Sequence, residues 1–487
     1  MLGICFPEYD KMPEGAQKNW DQIINGLKGN PIFLQAEYLA STWKALLFSV
    51  LTSLILAIIY IYLMSLLAEY VAWALIFLVQ IGLILLAVGG VVYYTQATSE
   101  NKGTTSLVVG IISAIFAMIF AVAVYCGWNQ LKMSIEIINC SADFLASTKR
   151  LIGVPFIYFI FIFLFFMFWM ASMISVESMG NIRASTDPAF NGEFNEHKYL
   201  PLDKKITWDD RKQLGKTVNL MMAFLTFGLI WFTFFMDASN NYVTMVTAST
   251  FYFSSNRHKW GSGEVGTAFR WAWVHNFGSI AFGSLIIAII WTIRMLVYYV
   301  CKKAEKSSGD SGVVKAITCV AMCVLKCLEE IMEYINRAAY AYMAISGESF
   351  CQSALHGLLL QLKRGAAFAF ANLLAQMFIL LGKVGLTVVN VVIVYFYLKA
   401  TAPPNDPSDV YAPLAIVAFA TLVLVSIFLG MFDESVVAMM TCLSADLDLH
   451  DGDNIWGPAS LHKVIDDING VEGSEEGEQK DKTNDMN

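Results

Sequence analysis

The chain has 487 residues, 57% of them hydrophobic and only 15% charged, with 32 basic and 40 acidic side chains and a net charge of −8. A soluble domain carries about 25% charged residues, so this composition excludes a water-solvated globular protein. With 11 Pro, 33 Gly and 9 Cys it also excludes disordered, collagenous and disulfide-scaffold chains.

Residues 1–42 read as a polar N-terminal segment. Met1–Asp10 has neither a basic region nor an apolar stretch, so no signal peptide is visible and the first span must target the chain itself. A helix needs about 20 predominantly apolar residues to cross the hydrocarbon core. Charge-poor stretches then predict nine spans, at 45–68, 70–94, 104–128, 151–175, 217–253, 271–297, 338–362, 366–398 and 410–432. Barrel strands would alternate polar and apolar residues, whereas Leu83–Val88 and Phe161–Trp169 are apolar at every step. The expected fold is therefore an all-α, polytopic transmembrane helical bundle over 43–452. Glu69, between the first two spans, is expected at a hairpin tip. The stretch 129–150 is amphipathic, and its Lys132, Lys149 and Arg150 favour the cytoplasmic side. The loop 177–216, which then falls outside, holds seven basic residues, so charge alone leaves the orientation open. Residues 453–487 are acidic and poor in large apolar side chains, which predicts an unstructured C-terminal tail.

No phosphate-binding loop, metalloprotease helix, nucleophile elbow or dinucleotide fingerprint occurs, so no enzyme, cofactor, metal or nucleic-acid partner is expected. Cys319, Cys323 and Cys327 share one helical stripe, but no His or fourth Cys stands at ligand spacing. The small residues Gly278, Ser279, Ala281, Gly283 and Ser284 point to close helix packing.

Charged residues inside a bilayer cost at least ~2.5–3.5 kcal/mol and need a reason. Asp237 is the clearest intruder; Asn240 and Asn241 follow at i+3 and i+4, on the same helical face. Two readings stand beside each other: a wet site in mid-membrane, or an interface where one helix ends. Asp433 and Glu434 form a second acidic point, and Lys383 could snorkel or pair with Asp237 or Glu434. Trp231 and Tyr252 lie near the polar stripe and could offer aromatic faces to a quaternary ammonium.

Two blocks resemble the choline transporter-like family. Phe277-Gly278-Ser279-Ile280-Ala281-Phe282-Gly283-Ser284-Leu285, followed by Arg294, is similar to the family's FGSxxFGxL…R signature. Cys327-Leu328-Glu329-Glu330, Asn336-Arg337-Ala338-Ala339-Tyr340, Ala344-Ile345-Ser346-Gly347 and Phe350-Cys351-Gln352-Ser353-Ala354 resemble its CLE…NRxAY…AIxG..FCxSA run with matching spacing. Leu380-Leu381-Gly382-Lys383 and Asp446-Leu447-Asp448 with Asp451-Gly452 resemble later family segments, so the likeness covers roughly 43–465.

The resemblance implies ten spans, cytoplasmic termini, an extracellular 177–216 loop and transport of choline or a related amine, with proton exchange proposed for the family. Its first span and most of its large extracellular loop have no counterpart here, which would leave residues 1–42 outside. Val437 stands where the family often has Asp, and Asn276 where it often has His. The reading is a multi-pass transporter in the plasma membrane, or in an organellar one, moving choline or a small organic cation by alternating access. Asp237, Asn240, Asn241, Trp231, Tyr252 and Glu434 are expected to line the route. The rival is a non-transporting scaffold or complex subunit, which predicts Asp237 packed against Lys or Arg.

Overall fold

The computed structural model describes residues 43–96, 100–180, 208–307, 312–401 and 411–470. They form α1 (Trp43–Gln96), α2 (Glu100–Cys126), α3 (Trp128–Ser147), α4 (Val154–Gly180), α5 (Trp208–Ser254) and α6 (Val265–Arg270). Next come α7 (Phe277–Ser307), α8 (Gly312–Ser346), α9 (Phe350–Lys363), α10 (Gly365–Thr401), α11 (Tyr411–Leu449) and α12 (Ala459–Asn469). A 3₁₀ turn, Lys149–Gly153, leads into α4, and a π turn, Trp271–His275, joins α6 to α7. The expected N-terminal segment 1–42, most of the 177–216 loop and the end of the tail lie outside the described residues.

Seven of these helices, α1, α2, α4, α5, α7, α10 and α11, are long and apolar enough to cross a membrane. The all-α bundle stands, but its segments divide differently from the nine expected spans. The first two merge: α1 runs unbroken through Glu69, which is an exposed mid-helix residue and not a hairpin tip. Nothing between Met64 and Ala74 is Gly or Pro, so no residue there interrupts the helical hydrogen bonds. The expected span 338–362 is split instead. Gly347 adopts φ +69°, a left-handed conformation that glycine takes without a Cβ penalty, and its N–H closes α8 on the Met343 carbonyl at 3.0 Å. At the other extreme, α11 continues 15 residues past Glu434 to Leu449, so the Asp433–Glu434 pair lies inside a helix.

The chain divides into two compact units. The smaller takes Met1–Met64 and Gln376–Gly430. Its apolar centre is Ala45, Val394, Leu398 and Val417. Beside it the fully buried Asn390 donates through Nδ2 to Thr421 Oγ1 (2.7 Å) and Ser49 Oγ (3.1 Å), and accepts from Thr52 Oγ1 (2.6 Å). Every polar atom of that amide has a partner, which is how an uncharged polar group is tolerated between apolar helices.

The larger unit takes Ser65–Ala375 and Met431–Asn487. Here α5 packs on α4, α7 and α8, and α8 packs on α7 and α9. The helix α12 lies within the segment expected to be unstructured. It seats on the amphipathic α3 by burying Leu461 and Ile465, a gain of about 1.5–3 kcal/mol per side chain. Lys132–Asp467 (3.0 Å) and Arg257–Asp466 (2.9 Å) rim the contact and, being exposed, add little. A tail that is polar on average can still hold one amphipathic helix when a partner face exists.

Under α12, burial pushes the Glu136 carboxyl up from its ordinary range, against hydrogen bonds from Ser460 and Cys140 that lower it. A carboxyl raised by folding contributes stability below its unfolded pKa and loses it as pH rises through the folded value. Glu136→Gln is therefore expected to raise the thermal midpoint in detergent near neutral pH and to leave it unchanged below about pH 4. A midpoint unmoved near neutral pH would show that Glu136 carries no such cost.

Candidate functional site

The site is built on α5, α8 and α11. On α5 the sequence Trp231–Met236 is apolar apart from Thr233, so Asp237 interrupts an otherwise membrane-compatible helix of 47 residues. Asp237, Asn240 and Asn241 share a face, and the structure turns that face inward: Asn240 is buried, Asn241 half-buried, and Thr244 and Thr247 fully buried. The two threonine hydroxyls donate to the carbonyls of Asn240 (3.1 Å) and Val243 (2.7 Å) and so are used within the helix. Asn240 Nδ2 donates to Asn241 Oδ1 at 3.4 Å, while Asn240 Oδ1 is buried without a hydrogen-bond partner. Asp237 itself is accessible at its surface yet stands deep among neighbouring helices. Among the described residues it makes no ion pair.

The opposite charge lies nearby and is already engaged. Arg337, on α8, places Nη2 2.8 Å from Asp433 Oδ2 and Nε 3.2 Å from Glu434 Oε1. Glu434 is only 8% exposed, so its charge depends on that guanidinium. Asp237 is close enough to act electrostatically on both Glu434 and Tyr340. Two carboxylates therefore face one guanidinium, with Asp237 near Glu434, leaving the cluster net acidic when all are ionised.

The family-like blocks hold Arg337 in place. One residue before it, Asn336 donates to the Gly283 carbonyl at 2.9 Å; one turn after it, the Tyr340 hydroxyl donates to the Ile280 carbonyl at 3.4 Å. A Cβ on Gly283 would meet the Tyr340 hydroxyl at 2.4 Å and the Phe350 ring at 2.7 Å. Only glycine lets α7 approach α8 closely enough for both bonds. Asn276, the position where His is common, donates to the buried Tyr242 hydroxyl at 2.8 Å.

The structure thus gathers Asp237, Asn240, Asn241 and Glu434. It does not bring Trp231 and Tyr252 to them. Tyr252 is fully buried four turns further along α5, where its hydroxyl donates to Asp446 Oδ2 at 3.0 Å. Trp231 donates through Nε1 to the Ala281 carbonyl at 3.3 Å. Glu434 pairs with Arg337, a residue not among the partners expected for it. Sequence reasoning named Arg337 and Tyr340 only as parts of a motif. The available signal was Arg337 as the sole charge between Glu333 and Glu348, passed over because the expected span began one residue later.

Seven helices long and apolar enough to cross a membrane, among the described residues, define a multi-pass membrane protein. A family model described as plasma-membrane choline transporter matches residues 111–448, and the chain belongs to that family. It is 24% identical over 449 residues to choline transporter-like protein 2 of Dictyostelium discoideum, covering 88% of this chain and 67% of that protein. With choline transporter-like protein 1 of Caenorhabditis elegans it shares 23% over 439 residues, 85% of this chain and 57% of that one. Choline transporter-like 2 of Drosophila melanogaster is 29% identical over 231 residues, 46% of this chain and 28% of that protein. The chain spans between about a quarter and two thirds of the length of these curated relatives.

Removing Arg337 while keeping its carboxylates would strand buried charge, at about 3–5 kcal/mol. Arg337→Met is expected to lower the thermal midpoint of the purified protein sharply. Adding Asp433→Asn and Glu434→Gln should recover most of the loss. A single variant as stable as wild type would show that the ion pairs are not structural.

Proposed function

We propose that the chain is a transporter of choline or a related small organic cation, working by alternating access, with Asp237, Asn240, Asn241 and Glu434 along the route and the plasma membrane as its site. The observation that carries this reading is Asp237: an accessible carboxylate on a membrane-crossing helix, near Glu434, with no basic partner among the described residues. A substrate cation is the charge that such a group lacks. Choline cannot be held by N–H donation, so a free carboxylate is the chemistry its trimethylammonium needs, joined where available by aromatic faces. The buried, unpartnered Asn240 Oδ1 adds an acceptor on the same face. The family membership and the names of the relatives supply the substrate class.

Protonation supplies the coupling in this reading. Three carboxylates against one guanidinium can hold a substrate cation, or a proton in its stead, without changing net charge, which is the condition for exchange. The scaffold alternative expects Asp237 to be neutralised by Lys or Arg, and the described residues contain no such pair. A lipid pathway expects the polar stripe to face the bilayer, whereas Asn240, Thr244 and Thr247 are buried.

Radiolabelled choline uptake into proteoliposomes tests the proposal. Wild type should accumulate choline, and Asp237→Asn should raise the half-saturating concentration roughly tenfold or more, the equivalent of about 1.4 kcal/mol. Unchanged uptake would remove Asp237 from the route, and no uptake by wild type would end the transport claim for choline.

A further inference from the structure

The segment that joins α11 to α12 is anchored before α12 begins. Asp446, with a fully buried side chain, accepts from the Tyr252 hydroxyl and the Trp456 N–H, both at 3.0 Å. Gly457 donates to the Ser255 carbonyl at 3.2 Å and takes φ +99°, a turn that suits glycine. From there α12 is tied on two sides: Lys132–Asp467 joins it to α3, and Arg257–Asp466 to the loop after α5.

Beneath α12 lie the buried Leu461 and Ile465, and between them stands His462, 2% exposed. The buried face of an amphipathic helix is normally apolar; here an imidazole takes one of its places. Both ring nitrogens are buried without a hydrogen-bond partner. A neutral imidazole has one N–H and one acceptor, and the imidazolium has two N–H groups. Protonation therefore adds a charge and a second unmet donor to a site that satisfies neither.

The charges facing the ring do not compensate. Burial is the largest influence and Arg257 acts with it, together holding the imidazole below its ordinary range against Asp466 on α12 and Asp446 on α11. Asp466 is engaged by Arg257, and Asp446 by Tyr252, His450 and the Trp456 N–H. From α3 come Lys132, paired with Asp467, and Glu136 and Cys140, which meet α12 at Ser460. A base depressed by burial stabilises the docked state above its unfolded value of about 6.5, and loses that contribution as pH falls through the folded one. Glu136, raised by burial, runs the other way, so that acid favours the docked state through it.

We propose that α12 is an acid-released strap and that His462 is its trigger. Neutral, the ring seats α12 across α3 and the loop after α5; protonated, it drives α12 off. Release unties α3 from the end of the helix that carries Asp237, and it uncovers Glu136 and Cys140. The device does not depend on what the protein carries.

Hydrogen exchange of the full-length, detergent-purified protein tests this, read by mass spectrometry on peptides covering 459–469 and corrected for the intrinsic pH dependence of exchange. Between about pH 7.5 and about pH 5, protection of the α12 amides should fall about tenfold or more, tenfold being one unit of pKa difference. Protection of α5 and α11 should hold. His462→Leu, which fills the site without titrating, should keep α12 protected at both values, and Glu136→Gln should leave the fall in place. His462→Gln, polar like the ring and neutral throughout, is the second variant. Wild-type protection that is constant over this range, or that rises in acid as Glu136 alone would make it, overturns the proposal without any variant. A fall that persists in either His462 variant overturns His462 as the trigger.

Discussion

Taking a carboxylate out of water costs several kcal/mol even after its surroundings relax, ~20 kcal/mol in the idealised limit, and the centre of the larger unit is organised by how three carboxylates meet that cost. Asp433 and Glu434 meet it through Arg337, at 2.8 and 3.2 Å. Asp237 meets it by staying accessible. The difference is one of pairing: Asp433 and Glu434 hold helices together through Arg337, whereas Asp237 makes no ion pair among the described residues.

The position of Arg337 in turn depends on a close approach of α7 to α8. Gly283 permits it, and Asn336 and Tyr340 convert it into two hydrogen bonds on either side of the arginine. The guanidinium is thereby held against Asp433 and Glu434 on α11. The smaller unit solves a milder problem with neutral groups. Asn390, Ser49, Thr52 and Thr421 satisfy one another without any charge. A saturated amide knot of this kind binds helices together and leaves no atom free for a substrate.

Much of the fold was legible because burial in lipid is written residue by residue. Charge-poor runs located the membrane helices, and the intruders Asp237, Asp433 and Glu434 marked a cluster of charge inside them. The errors share one origin. Glu69 looked like a turn because a charge suggested an interface, but helix continuity depends on backbone breakers, and none stands between Met64 and Ala74. The stretch 338–362 looked continuous because Gly347 is silent in a hydropathy count, yet its backbone ends α8. The acidic tail looked structureless on composition, although Leu461 and Ile465 had a face on α3 to bury.

What the sequence determined by itself was the solvent of this protein and the short list of charges that violate it. Hydropathy acts along the chain and needs no knowledge of neighbours. Only the tertiary structure decided which of those charges are spent on one another. From the sequence, Lys383 was a possible partner of Asp237 or Glu434 and Tyr252 a possible neighbour of the polar stripe, while Arg337 and Tyr340 stood only in a motif. Across facing helices Glu434 meets Arg337, and Tyr252 meets Asp446. Pairing is a property of facing helices, fixed by side-chain volumes and hydrogen bonds between segments a hundred residues apart.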